Sequence, residues 1–465
     1  MHADPFTSRF IPRRYNEMQR LMSYPATPFH PSLIFPTHIP MAPTLIFPQS
    51  FQDVSDAVLL AQAQKKELAV TSGAYHNTSG SSYTKDGILV DLSKLNAVKI
   101  DNVNRIAYVQ GGVRCKQVEE EAIKFGLAMP AGTVSDIGIA GLTVGGGQGW
   151  LSGQHGLVVD NLLSATVVVA NGNILKASAT ENSDLFWGIR GGGSNFGIVV
   201  EFAFQLHQQR AEVFTTSLIF SHDRLPLVVQ QINRWTAKQT ATEAGSLVFF
   251  NDAATGQTMI EWFGFKNGDE QEGKKAFKGF VELAPLRSTS EMVPYEKLNT
   301  MMNKYIVPGV NNRLNWGTFL ERLDLKPFKK AMEAFNNLDV AAKKSIVTFE
   351  FYHHDKVSSV AVQDMAFAHR APVYNALVSV QWDNAAATFD ASEAVRSIAD
   401  KITAATGNTD IGYTNYADNV AAVKSKSDVY AKQAFGINYE RMREVKRVYD
   451  PTGVFNRWFA VTPAE

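Results

Sequence analysis

Gly138-Ile139-Ala140-Gly141-Leu142-Thr143-Val144-Gly145-Gly146-Gly147-Gln148-Gly149 places six glycines in twelve residues. Glycine has no Cβ to block an approaching group and reaches positive φ freely, so such a run lets backbone N–H groups converge on an anion. Two more clusters flank it in the chain. One is Thr71-Ser72-Gly73-Ala74-Tyr75-His76-Asn77-Thr78-Ser79-Gly80; the other is Arg190-Gly191-Gly192-Gly193-Ser194-Asn195-Phe196-Gly197. A bare glycine motif reads equally well as a tight turn. Three of them in one half of a chain, one with a histidine inside, favour a large phosphorylated cofactor. None has the G-x-G-x-x-G spacing followed by a helix and a distant acidic residue, which argues against a dinucleotide fold of the Rossmann kind. No phosphate-loop Gly-Lys-Ser/Thr occurs either.

The rest of the chain supplies the frame. At 465 residues it exceeds one ordinary hydrophobic core, so two domains are expected. Lys+Arg and Asp+Glu both number 45, and this balance excludes the electrostatic footprint of a nucleic-acid or anionic-membrane binder. No apolar run approaches the roughly 20 residues of a membrane span, and the first twenty residues hold no apolar stretch of signal length, so a cytoplasmic protein is expected. The single cysteine, Cys115, excludes an internal disulfide and a multi-thiolate metal site. Half of the 18 prolines precede residue 49, which predicts an irregular arm over 1–45.

From there to 208 short apolar runs alternate with helical stretches: helices over 54–65 and 117–125, strands over 68–71, 87–91, 107–110 and 165–170. Longer strands follow over 213–220, 246–250, 259–265, 346–353 and 373–382, with amphipathic helices over 225–238, 272–283, 328–338 and 391–405. That pattern predicts an antiparallel sheet covered by helices on one side. A last helix over 439–449 ends at Asp450-Pro451-Thr452-Gly453. The fold class is α+β.

The order and spacing of the motifs resemble the FAD-linked oxidoreductases of the vanillyl-alcohol-oxidase and p-cresol-methylhydroxylase type, in their berberine-bridge-enzyme-like branch. Beyond the glycine clusters, the likeness rests on Leu89-Val90-Asp91-Leu92-Ser93, Pro130-Ala131-Gly132, His155-Gly156-Leu157-Val158-Val159-Asp160-Asn161 and Asp184-Leu185-Phe186-Trp187-Gly188-Ile189-Arg190. It resumes at Asn438-Tyr439-Glu440-Arg441-Met442 and Tyr449-Asp450-Pro451, while the region between is similar only in pattern and in Ala366-Phe367-Ala368-His369-Arg370.

The resemblance implies a two-lobed FAD domain over 1–208, a substrate domain over 209–425, and a segment over 426–465 that returns to the FAD domain. It places a pyrophosphate loop on Ser72, Gly73, Ala74, Tyr75, His76 and Asn77, with His76 the covalent attachment point of FAD. A second loop around the flavin would involve Gly132, Thr133, Gly138, Gly141, Leu142, Gly145, Gly146, Gly147 and Gly149. Asp160 and Asn161 would pass the cofactor, Ile198 and Val199 would lie near its adenosine, and Phe435 and Asn438 would contribute from the returning segment. Many relatives add a second bond through a cysteine; the matching position here is Val134, so attachment through His76 alone is implied. Ile139 falls where the family's loop passes the flavin edge that meets oxygen.

The acid–base residues depart from the pattern. A tyrosine common in relatives is replaced by Ala434, and the strand over 373–382 shows Asn375, Leu377, Ser379 and Gln381, none a base at neutral pH. The strand over 346–354 offers a face of Thr348, Glu350, Tyr352 and His354. Tyr352 is the favoured base of this face; a buried Glu350 tends to be protonated and to act as an acid. A solvated surface strand explains that face equally well. His353-His354 lacks a partner at metal-ligand spacing, so no metal is assigned.

The implied activity is oxidation of a small organic molecule, a specialised metabolite, by hydride transfer to covalent FAD, with oxygen as final acceptor and oxidative cyclisation among the outcomes. A non-redox cyclase or isomerase that keeps FAD as a scaffold, and a carbohydrate oxidase, stand as alternatives. The sequence does not address the oligomeric state.

Overall fold

The computed structural model describes residues 44–72, 81–305, 312–339, 342–382, 390–407, 412–416 and 428–465. The expected arm over 1–45 therefore lies almost wholly outside the described residues, as do Gly73, Ala74, Tyr75, His76 and Asn77.

The chain opens with β1 (Thr44–Ile46), α1 (Phe51–Ala63), β2 (Leu68–Thr71) and β3 (Ile88–Asp91). α1 starts where Ser50 and Asp53 form a capping box, each side chain accepting from the other's backbone N–H. The three strands pair in parallel in the order β1-β3-β2. A five-stranded antiparallel sheet follows, built from β4 (Val98–Asp101), β5 (Ile106–Gln110), β6 (Leu162–Val168), β7 (Ile174–Ser178) and β8 (Ile198–Gln205), in the order β4-β5-β8-β6-β7. Between β5 and β8 lie α2 (Cys115–Ala122), α3 (Ile139–Val144) and α4 (Ser183–Ile189).

The following stretch forms a seven-stranded sheet of β9 (Glu212–Ser221), β10 (Glu243–Asn251), β11 (Thr258–Lys266), β12 (Arg287–Pro294), β13 (Asn312–Leu320), β14 (Ile346–Tyr352) and β15 (Tyr374–Trp382). Its order is β12-β9-β11-β10-β14-β15-β13 and every pairing is antiparallel. Four helices, α5 (Leu225–Thr236), α6 (Glu270–Val281), α7 (Leu325–Asn336) and α8 (Ala391–Thr406), cover one face. Strand periodicity decides which face. Val347, Phe349 and Phe351 pack with Ile232, Phe328, Phe335 and Ile398 in one apolar core, which leaves Thr348, Glu350 and Tyr352 on the other side. That side is buried as well, so the solvated-strand reading of Glu350 does not hold.

α9 (Val429–Phe435) and α10 (Tyr439–Tyr449) return to the first part of the chain. Ala434, Phe435, Tyr439 and Met442 share a core with Val109, Phe186, Phe196 and Phe202. Among the described residues no helix is long and apolar enough to cross a membrane.

Candidate active site

One cavity lies among the glycine loops, the segment from Tyr413 to Tyr416 and the returning segment from Phe455 to Trp458. Ser72, Gly132, Thr133, Gly138, Gly141, Leu142, Gly145, Ile198 and Val199 line it, so nine of the sequence-derived positions come together on one wall. Two glycines show why the residue type matters. A Cβ on Gly138 would stand 2.0 Å from Ser72 Oγ, and one on Gly145 would stand 1.9 Å from Asn415 Oδ1. Any side chain there would fill the cradle or push its walls apart.

Other expected positions lie elsewhere. Gly146, Gly147 and Gly149 sit just behind the lining, and Gly147 N–H donates to Tyr413 Oη at 2.8 Å. Asp160 forms a bidentate pair with buried Arg370, at 2.7 and 2.9 Å, and accepts from Leu157 N–H. Asn161 donates to the His155 and Leu157 carbonyls and meets His207 Nε2 at 2.6 Å. Phe435 is core, and Asn438 donates to the Val362 and Met365 carbonyls. These four hold the scaffold rather than line the cavity. Ile139 is also corrected: its side chain is buried in the core, and its neighbours Ile137, Gly138 and Ala140 face the cavity instead.

The returning segment does close one wall, through Phe455, Arg457 and Trp458. A buried cation fastens it. Lys446 Nζ pairs with Asp450 Oδ2 at 2.7 Å and donates to the Asn195 and Phe455 carbonyls, both at 2.6 Å. Asn195 in turn donates to the Trp458 carbonyl and accepts from Val461 N–H.

The opposite wall belongs to a segment that sequence reasoning passed over. Tyr413, Asn415 and Tyr416 all line the cavity. Asn415 Nδ2 donates to Tyr413 Oη at 2.9 Å and to the Leu142 carbonyl at 3.2 Å, which ties this segment to α3. Tyr416 Oη donates to Glu350 Oε1 at 2.9 Å, and Tyr352 Oη donates to the same oxygen at 3.3 Å. Asn375 Nδ2 donates to Glu350 Oε2 at 3.2 Å and to Gln148 Oε1 at 2.5 Å.

Burial drives the electrostatics. It pushes the Glu350 carboxyl up to about 7, against the pull of hydrogen bonds from Tyr416, Asn375 and Tyr352. The Tyr352 phenol is held well above its ordinary range by burial and then by Glu350 beside it. A phenol that donates to a carboxylate keeps its proton, and Tyr352 does not reach the cavity wall. Glu350 likewise stands behind the lining and meets the cavity only through the Tyr416 hydroxyl.

Comparison with known proteins shows the family. Residues 42–178 match a family described as FAD binding domain, and residues 412–458 one described as berberine and berberine like. The FAD-linked oxidoreductase pgmH of Aspergillus terreus is 30% identical over 450 residues, which span 92% of this chain and 89% of that protein. The FAD-linked oxidoreductase srdI of Neurospora crassa is 27% identical over 428 residues, 88% of this chain and 82% of the relative. In fold, 6-hydroxy-D-nicotine oxidase from Arthrobacter nicotinovorans superposes with a TM-score of 0.81 at 22% identity, covering 95% of this chain and 97% of the other. Berberine bridge enzyme from Eschscholzia californica gives 0.81 at 20% identity, covering 97% and 98%. The chain belongs to the berberine-bridge-enzyme-like FAD-linked oxidoreductases.

Proposed function

We propose that this enzyme binds FAD in the cavity with a covalent bond from His76 alone, and oxidises a small specialised metabolite whose proton passes to Glu350. Gly138 and Gly145 let the Ser72 and Asn415 side chains close in on the glycine loop at the cavity, and Ile198, Val199 and Phe455 offer apolar surface for the ring systems of FAD. When bound, the flavin supplies the two-electron acceptor for a hydride. The chain's own part is to orient the substrate, exclude water and take up a proton. In this reading the FAD body comprises 1–208 and 426–465 and the substrate body 209–425; the core shared by α9, α10 and β5 supports that division. Oxygen as final acceptor and a cytoplasmic setting complete the proposal.

One observation carries it: a buried carboxyl held near neutrality is joined through Tyr416 to the cavity wall. Proton uptake needs the charged form, so the rate of anaerobic flavin reduction should rise with pH and level off above about 7. Glu350→Gln should lower the plateau by about 10²- to 10⁴-fold, the scale of general-base contributions, and remove the pH step. A pH-independent rate in wild type, or full activity in Glu350→Gln, would reject the assignment. Turnover of a substrate without bleaching of the flavin would instead support the scaffold role.

A further inference from the structure

We propose that the outer edge of β12 is a docking surface for a second copy of this chain, and that two copies join there, about a twofold axis at Thr289, into one continuous antiparallel sheet.

β12 closes the large sheet on one side. It pairs with β9 along Arg287–Pro294, and among the described residues no strand pairs with its other side. Arg287, Ser288, Thr289, Ser290 and Glu291 are all exposed. Such an edge presents a row of unpaired N–H and C=O groups, which proteins ordinarily blunt with lysine, proline or a bulge. This edge carries no lysine, and its one proline, Pro294, stands at its last residue.

The inner pairing fixes which backbone groups face outwards. Tyr295 N–H donates to the Ala211 carbonyl, and the register sets Glu291 against Thr215 and Thr289 against Ser217. Opposed residues of antiparallel strands alternate between hydrogen-bonded and non-hydrogen-bonded pairs. Arg287, Thr289, Glu291 and Val293 therefore turn their backbone groups towards β9, while Ser288, Ser290 and Met292 turn theirs away from it.

A second copy must bring outward groups to outward groups. With Thr289 on the axis, Ser288 of each copy exchanges N–H···O bonds with Ser290 of the other. Arg287 of each copy then stands opposite Glu291 of the other, on the same face of the sheet, where opposite charges are favourable. Moving the axis to Ser288 or Ser290 would set Arg287 against Thr289 or Val293 and lose both ion pairs. The charges thus select one register. Arg287 is available for it: its contact with Asp252 is long, 3.3 Å, and its side chain is 70% exposed. Just before the strand, Leu286, 65% exposed, comes beside Met292 of the second copy. No residue of β12 lines the cavity, so pairing leaves both sites open.

The contact is shorter than a stable interface of roughly 1,200–2,000 Å² requires, so assembly should be visible over about 1–100 µM. Sedimentation velocity of the flavin-loaded protein across that range should show monomer passing into dimer. Arg287→Glu sets like charges opposite each other in two places and should raise the dissociation constant at least about tenfold. Combining it with Glu291→Arg restores opposite charges and should return the constant to within about threefold of wild type. Thr289→Cys should form an intermolecular disulfide under mild oxidation, because opposed Cα atoms of a non-hydrogen-bonded pair lie about 4.5 Å apart, within disulfide reach. Cys115 is buried, so wild type should stay uncrosslinked. Circular dichroism of every variant should match wild type. A monomer throughout the range, an assembly indifferent to Arg287→Glu, or a double variant no better than the single one would overturn the proposal.

Discussion

Glu119→Gln should make the protein less stable in mild acid and more stable in mild base. Glu119 lies on the buried face of α2, which also carries Cys115, Val118 and Ala122. Its Oε1 accepts from Asn299 Nδ2 at 2.5 Å, Asn299 Oδ1 accepts from Trp150 Nε1 at 2.9 Å, and Oε2 is buried without a hydrogen-bond partner among the described residues. Burial, with Glu120 nearby, pushes this carboxyl from 4.5 up to about 8. A carboxyl raised in the folded state keeps a proton that the unfolded chain has released. Stability is therefore full below 4.5, falls as pH rises, and levels off above about 8. The whole displacement corresponds to a ceiling of about 5 kcal/mol.

Glutamine keeps the acceptor for Asn299 but buries an unpaired NH2 at the Oε2 position, costing about 1–3 kcal/mol at every pH. The variant should thus trail wild type by that amount near pH 5 and lead it by about 2–4 kcal/mol near pH 8.5. Urea denaturation of both proteins at these two pH values measures the difference directly. Parallel stability curves would refute the buried, protonated state of Glu119.

Three further outcomes test other parts of the structure. The flavin of wild-type protein should remain with the polypeptide through acid precipitation, whereas His76→Ala should release it; flavin absorbance of the pellet decides. Tyr416→Phe should slow anaerobic flavin reduction at least about tenfold, while Tyr352→Phe, set behind the wall, should change it by less than about threefold. Lys446→Met leaves Asp450 buried without its cation and should cost about 3–5 kcal/mol, read as a lowered denaturation midpoint.

The glycine clusters made the cofactor wall legible because close backbone approach leaves few substitutes for glycine. Alternation made the inner strands legible: Val347, Phe349 and Phe351 alternate with Thr348, Glu350 and Tyr352 as β14 does. Arg287–Pro294 escaped notice because it is an exposed edge strand, with Arg287, Ser288, Thr289, Ser290 and Glu291 in a row and no apolar face to display. Glu350 and the upward shift that burial would give it were legible; the burial itself was not, since it depends on how both faces of the sheet are covered. Tyr413, Asn415 and Tyr416 were missed for a related reason. Their segment has no helix or strand period, and only its approach to Leu142 and Gly147 reveals its place.

The hydrogen bond from Gly147 to Tyr413 joins residues 266 positions apart, and that from Lys446 to Asn195 joins residues 251 apart. Bringing such remote pieces together costs loop-closure entropy before any contact repays it, so these steps come late and slowly in folding. The cavity has no walls on two sides until both are made. An early, compact intermediate with the five-stranded sheet in place would leave the tethered flavin open to solvent, and its enclosure would trail the appearance of secondary structure. Refolding followed at once by far-ultraviolet dichroism and flavin fluorescence should therefore show two separate phases, the flavin signal always second.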